Sequence, residues 1–205
     1  MTGLTAKGMA TRDRIVEGAA ELIRRDGVAA ATLDDIRLHT STSKSQLFHY
    51  FPDGRQQLLL AVAHYEADRV LAEQQPHLSA LTTWDSWQKW RNALVRRYRS
   101  QGRTCPLTML MSELGRTDPA SQEVTRSLLL RWRTDLAAGV RTMQDTGTVA
   151  LTHDPDQYAG ALLAAIQGGV VLLLATGSST DLESALDLLL EPLRPREIAR
   201  ASSSA

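Results

Sequence analysis

Lys44, Ser45, Gln46, His49 and Tyr50 fall within seven consecutive residues and supply hydrogen-bond donors and acceptors, while Leu47 and Phe51, four apart, share a side suited to a core. Glutamine pairs with adenine edges and lysine with guanine O6 and N7, so a helix carrying this row has the means to read a major groove. Thr42 and Ser43 precede the row and Arg55 follows it. Hydroxyls and a guanidinium at helix starts suit phosphate oxygens, contacts that set register without reading sequence. Composition and spacing leave a second reading open, an ordinary short surface helix between two longer ones. The local charge is well below that of a strongly basic binder.

The elements that would hold this row are helical, and the whole chain reads as all-α. Strand signals are scarce, whereas Ile15, Ala19, Leu22 and Ile23 sit at helical spacing and the segment stops at Gly27 after Arg24 and Arg25. Thr32 and Asp35 look like the N-cap and first-turn acid of a short second helix ending near His39. Thr40-Ser41-Thr42-Ser43 breaks the pattern, Lys44 to Phe51 forms a third helix, and Pro52-Asp53-Gly54 turns the chain into a longer helix from Arg55 that ends before Pro76. Two short helices joined by a polar turn and backed by a preceding helix fit a helix-turn-helix.

Composition bounds the rest. A chain of 205 residues with 43% hydrophobic and 22% charged residues is ordinary for a globular protein of one or two domains. Basic and acidic residues balance at 23 each, so no whole-molecule field points to nucleic acid or membrane. The single cysteine, Cys105, excludes an internal disulfide framework and a cysteine-rich zinc site and suits a reducing cytoplasm. It reads as a small buried side chain before a helix start, with a lone redox-sensing thiol as the alternative. No apolar leader stands at the N-terminus, which implies a cytoplasmic protein. The five histidines, His39, His49, His64, His77 and His153, lack i, i+4 metal spacing, and no HExxH, GxSxG or P-loop occurs. Neither an enzyme nor a metal or cofactor site is expected.

The stretch Ser43 to Pro52 resembles the recognition-helix signature of the TetR family of bacterial repressors. Thr11-Arg12-Asp13-Arg14-Ile15-Val16 and Gly27 to Ile36 are similar to the preceding parts of that N-terminal domain. Thr104-Cys105-Pro106-Leu107 with Gln167-Gly168-Gly169 resembles the regulatory domain of the LmrA/YxaF-like branch. The resemblance implies base contacts from Lys44, Ser45, Gln46 and His49. It implies backbone contacts from Thr42, Ser43, Phe48 or Tyr50, and from the start of the next helix, where Arg55 stands. The chain departs from the family pattern in three places. Arg37 and Thr40 replace alanines, and Ser41-Thr42 replaces the Gly-Val of the turn, so the turn differs or carries strain. Asp53-Gly54 replaces Ser-Lys, removing a phosphate-binding lysine for which Arg55 is the candidate substitute. The implied organisation is a helix-turn-helix DNA-binding domain over 1–55, a helical-bundle ligand-binding and dimerisation domain over 56–198, and a disordered tail over 199–205.

In the C-terminal part, Tyr158 to Thr176 is an almost continuous apolar run, and Leu182, Ala185, Leu186, Leu189, Leu190 and Leu193 follow at three- and four-residue spacing. The run is long enough for a bilayer. Gln167, Gly168-Gly169 and the amphipathic helix behind it favour a buried core or a four-helix dimer seam over about 157–193, with no membrane. Trp84, Trp87 and Trp90 recur every third residue and are either core or the aromatic wall of a ligand pocket. Met109, Met111 and Trp132 could line the same cavity, and Gln167 is a hydrogen-bonder of the pocket or of an interface. Arg91, Arg96, Arg97, Arg99 and Arg103 run without an intervening acid; they form a solvated face, or a site for an anionic ligand or a phosphate.

The expectation is a homodimeric transcriptional repressor that binds a palindromic double-stranded DNA operator and is released by a small-molecule effector. The alternative is a helical ligand-binding or scaffold dimer without operator binding.

Overall fold

In the computed structural model, residues 5–101, 105–114, 118–147, 149 and 152–195 are described. They hold nine α-helices: α1 (Ala6–Asp26), α2 (Leu33–His39), α3 (Lys44–Tyr50), α4 (Arg55–Ala72), α5 (Trp84–Gln101), α6 (Pro106–Leu114), α7 (Pro119–Asp145), α8 (Pro155–Thr176) and α9 (Thr180–Leu190). No strand occurs among the described residues. The tail expected over 199–205 lies outside them.

The chain divides into two compact units, residues 1–73 with 104–128 and residues 74–103 with 129–205. In the first, α1 starts at Thr5, whose hydroxyl accepts from the Gly8 amide, and ends at Gly27, whose amide returns to the Ile23 carbonyl. Its buried face, Ile15, Val16, Ala19, Leu22 and Ile23, packs against α2, α4 and α6. The periodicity of α4 does not announce Glu66, an acid almost entirely buried among its apolar positions. Glu66 pairs with Arg24 of α1 and, at 3.4 Å, with Arg69 on its own helix. A buried carboxylate is tolerated only when paired, and the Arg24 contact ties α4 to α1.

In the second unit α8 and α9 form an antiparallel pair. By length and composition α8 is long and apolar enough to cross a membrane. Its inner positions Tyr158, Leu162, Ile166, Gly169, Val170 and Leu173 are buried, and Leu182, Leu186 and Leu190 of α9 are fully buried. The crossing is close at Gly169, where an added Cβ would lie 2.7 Å from the Leu182 Cα. The Tyr158 hydroxyl donates to the Leu189 carbonyl and closes the other end of the pair.

Of the basic run, Arg91 and Arg99 are engaged with α9, and Arg103 lies outside the described residues. Arg91 makes a two-pronged contact with Asp187 at 2.8 Å for each arm, and Arg99 reaches Glu183 at 2.6 Å and Ser179 at 2.9 Å. Both arginines therefore latch α5 onto α9. The Ser179 hydroxyl bonded to Glu183, and then Arg99, hold that carboxyl below its ordinary range.

Two outcomes follow. Gly169→Ala forces a methyl into the α9 backbone and should lower stability by about 1–3 kcal/mol, measured by urea unfolding. Burial raises the Tyr158 phenol to about 12. A raised acid favours the neutral form in the fold, so its contribution is intact below the ordinary tyrosine value and is lost as pH rises through 10 to about 12. Ultraviolet titration should show one tyrosine ionising late, and Tyr158→Phe should remove that step.

Candidate nucleic-acid interface

The helix-turn-helix is built by paired caps. Thr32 accepts from the Asp35 amide while Asp35 returns a bond to the Thr32 amide, a capping box that starts α2. Ser43 and Gln46 repeat the device for α3: the Gln46 amide N–H donates to Ser43 Oγ at 3.1 Å, and the Ser43 amide donates to Gln46 Oε1 at 3.0 Å. Between them, the Thr42 amide reaches the Arg37 carbonyl at 2.9 Å and the Ser41 amide the Leu38 carbonyl at 3.2 Å. This pair of bonds is a Schellman closure whose left-handed position is Ser41, at φ 50°. The departure from Gly-Val thus keeps the ordinary turn geometry and places a side chain where glycine is easier.

On α3, Leu47 is buried and Phe51 behind it is also buried, as their spacing predicts. Lys44, Ser45, Gln46, Phe48 and His49 are exposed, Ser43 at the cap is exposed, and Tyr50 is half-buried with its ring edge-on to His49 at 4.9 Å. Seven of the nine residues expected to touch DNA therefore lie on or beside one helix. The other two are engaged elsewhere. The Thr42 hydroxyl is buried in the turn, 2.9 Å from the Thr40 hydroxyl and 3.2 Å from the Thr40 carbonyl. Arg55 donates to the Val28 carbonyl at 2.7 Å and to Glu113 of α6 at 2.8 Å.

The caps also decide what Gln46 offers. With Oε1 accepting from Ser43, Nε2 is the free donor, suited to purine N7 or to O6 and O4, and the second lone pair of Oε1 is left for another donor. Arg12, Arg14, Arg24, Arg25, Arg37 and Arg55 all have partners within this unit. Lys44 makes no ion pair among the described residues and is exposed.

The residues expected to line a ligand pocket scatter differently. Trp87 and Trp90 of α5 and Trp132 of α7 are fully buried in the second unit. Trp87 and Trp90 meet edge to face at 5.6 Å, and Trp90 Nε1–H donates to Gln74 at 2.9 Å. The indole N–H groups of Trp87 and Trp132 are buried and have no acceptor among the described residues. Gln167 is exposed on α8. Met109 and Met111 belong to α6, and their side chains lie outside the described residues. No cluster of three or more potential metal ligands is present among the described residues.

An all-helical chain whose N-terminal helices form a capped helix-turn-helix with an outward polar row has the form of a double-stranded DNA reader. Residues 15–62 match the family model for bacterial regulatory proteins of the tetR family, and residues 81–189 match that for the tetracyclin repressor-like C-terminal domain. The second match alone covers more than half of the chain, which belongs to the TetR family of bacterial regulatory proteins.

An uncharacterized HTH-type transcriptional regulator of Mycobacterium tuberculosis is 32% identical over 110 residues, 51% of this chain and 53% of the relative, so the match spans about half of that relative's length. A TetR transcriptional regulator from Chloroflexus aurantiacus has a similar solved structure, with TM-score 0.72, 27% identity and coverage of 90% of this chain and 94% of the other. SmeT of Stenotrophomonas maltophilia, solved in complex with triclosan, shares the fold at TM-score 0.64 and 19% identity over 88% of this chain and 90% of SmeT.

Ser41→Gly should relieve the left-handed strain and stabilise the protein by about 1 kcal/mol, read as a higher midpoint in thermal unfolding. A lower midpoint would contradict the strain assigned to Ser41.

Proposed function

We propose that this chain is a homodimeric, cytoplasmic transcriptional repressor that holds a palindromic operator with two copies of α3 and releases it when an effector binds the second unit. The observation that carries this reading is the outward row of Lys44, Ser45, Gln46, Phe48 and His49 on a helix capped and buried on its other side. Lys44, Ser45, Gln46 and His49 meet bases; Ser43, Phe48 and Tyr50 lie against the backbone. Thr42 and Arg55 act inside the protein rather than on phosphates.

A seven-residue reading helix covers few base pairs, so useful affinity needs a second copy across a twofold axis. The face for that copy is the outer side of α8 and α9, where Val171, Leu172 and Leu188 are large apolar residues 64%, 45% and 76% exposed. Gln167 stands on the same exposed side of α8 and serves this seam. Such a seam buries apolar surface that would otherwise face water.

The effector reading is supported by the two unpartnered indole donors. Buried tryptophan N–H groups normally have an acceptor, and leaving one without costs about 1–3 kcal/mol. Trp87 and Trp132 suit an apolar, uncharged molecule that brings acceptor oxygens, with the Trp90 ring as further wall. SmeT, of the same fold, takes triclosan. Release follows if such a molecule binds more tightly to the form in which the two α3 helices are wrongly spaced, and its effect is bounded by that preference.

The test is selection of duplexes from a random library by the purified protein, followed by gel-shift titration. A palindromic consensus bound by a dimer is expected. Lys44→Ala with Gln46→Ala should weaken it at least tenfold, consistent with about 1–3 kcal/mol for each good base contact. No enrichment of any sequence, or a monomer at micromolar concentration, would end this reading.

A further inference from the structure

One of the departures around the turn, Thr40, packs against α1. Arg14 donates to the Thr40 carbonyl from one side. One helical turn along α1, Gly18 faces the Thr40 methyl, where an added Cβ would lie 2.4 Å from Cγ2 and 3.2 Å from His39 Cδ2. That methyl cannot swing aside freely. The Thr40 hydroxyl donates to the Ile36 carbonyl at 2.7 Å and stands beside the Thr42 hydroxyl, which fixes the rotamer in a buried site. Thr40 is also the last residue before the left-handed Ser41, so any movement of its carbonyl rotates the chain that enters α3. At the far end of α3, the Arg12 guanidinium lies over the Phe51 ring at 5.5 Å. The two arginines of Arg12-Asp13-Arg14 therefore grip the segment on both sides of the reading helix.

We propose that Arg14, Gly18 and Thr40 are positioning residues for DNA recognition: the Arg14–Thr40 carbonyl bond and the fit of the Thr40 methyl over Gly18 set the angle at which α3 leaves the turn, and none of the three touches DNA. The threonine that replaces the usual alanine is matched by a glycine on α1, and the backbone carbonyl it presents is matched by a guanidinium. The proposal rests on the DNA-reading function above and adds to it residues that act through α3.

Geometry separates this role from the obvious alternative, an arginine on a phosphate. A phosphate contact contributes to all sequences alike and to the salt slope, about one unit of log K against log[salt] per contact. A positioning residue changes the ratio between the selected and an unrelated duplex and leaves that slope alone. A residue that merely supports folding lowers the active fraction and scales both duplexes equally.

The experiment uses the full chain, the duplex that wild type selects from a random library, and a scrambled duplex of equal length. Affinities are measured from 50 to 300 mM salt beside thermal unfolding for wild type, Arg14→Gln, Gly18→Ala, Thr40→Ala and the Gly18→Ala/Thr40→Ala pair. Arg14→Gln is expected to weaken the selected duplex at least tenfold, to change the scrambled one less than twofold and to keep the wild-type salt slope. Gly18→Ala, which retains the Arg14 charge, should give the same loss of discrimination, and the double variant should recover most of it because the methyl it collides with is gone.

A slope shallower by about one with equal losses on both duplexes makes Arg14 a phosphate ligand and overturns the proposal. So does full discrimination by folded Arg14→Gln or Gly18→Ala. If Arg14→Gln does not fold, Gly18→Ala and its double variant decide alone. Should wild type select no duplex, the DNA-reading function itself falls and this proposal with it, an outcome distinct from wild-type selection with unaltered variants.

Discussion

Seven residues are too few for a helix to persist in water, because nucleation costs more than so short a run of hydrogen bonds returns. The reading helix exists because other parts of the chain hold it. Leu47 and Phe51 are buried, Ser43 and Gln46 satisfy the first amides, and α1 holds the segments at either end through Arg14 and Arg12. The exposed row is consequently a by-product of a fully engaged inner side. Its side chains are free to meet a groove because none of them, apart from the Gln46 carbonyl oxygen and the edge-on contact of His49 with Tyr50, is used to keep the helix formed.

Arginine is the main connector between elements distant in sequence. Arg24 joins α1 to the buried Glu66, Arg55 joins the start of α4 to α6, and Arg91 and Arg99 join α5 to α9. A forked guanidinium serves this role better than a lysine ammonium, since it can engage a carbonyl and a carboxylate, or both oxygens of one carboxylate, at once. Arg24, Arg25, Arg37 and Arg55 of the first unit are ion-paired, and Lys44 is an exposed cation on α3 itself.

The second unit separates its polar and apolar tasks in a different way. Its interior is organised around fully buried tryptophans, one with its N–H satisfied by Gln74 and two without acceptors among the described residues, while α8 and α9 keep large apolar side chains in water. Both features are unfavourable for an isolated chain. An effector in the interior and a second copy on the outside would each remove one of them.

Apolar spacing, cap residues and turn signals along the chain determined the all-helical class, the starts of α2, α3 and α4, the buried pair Leu47 and Phe51 and the outward row on α3. These are local properties: the helical period places residues on faces, and a cap acts within four residues. Tertiary structure alone decided that Thr42 turns inward, that Arg55 is engaged with Val28 and Glu113, that Glu66 is buried, and that Arg91 and Arg99 of the basic run latch α5 to α9. The partners of Arg55 and Arg91 are 27, 58 and 96 residues away, and no periodicity encodes a pairing at such separations. A polar side chain looks the same in sequence whether it faces water or a distant partner; only the packing of helices brings donor and acceptor together and shows which it does.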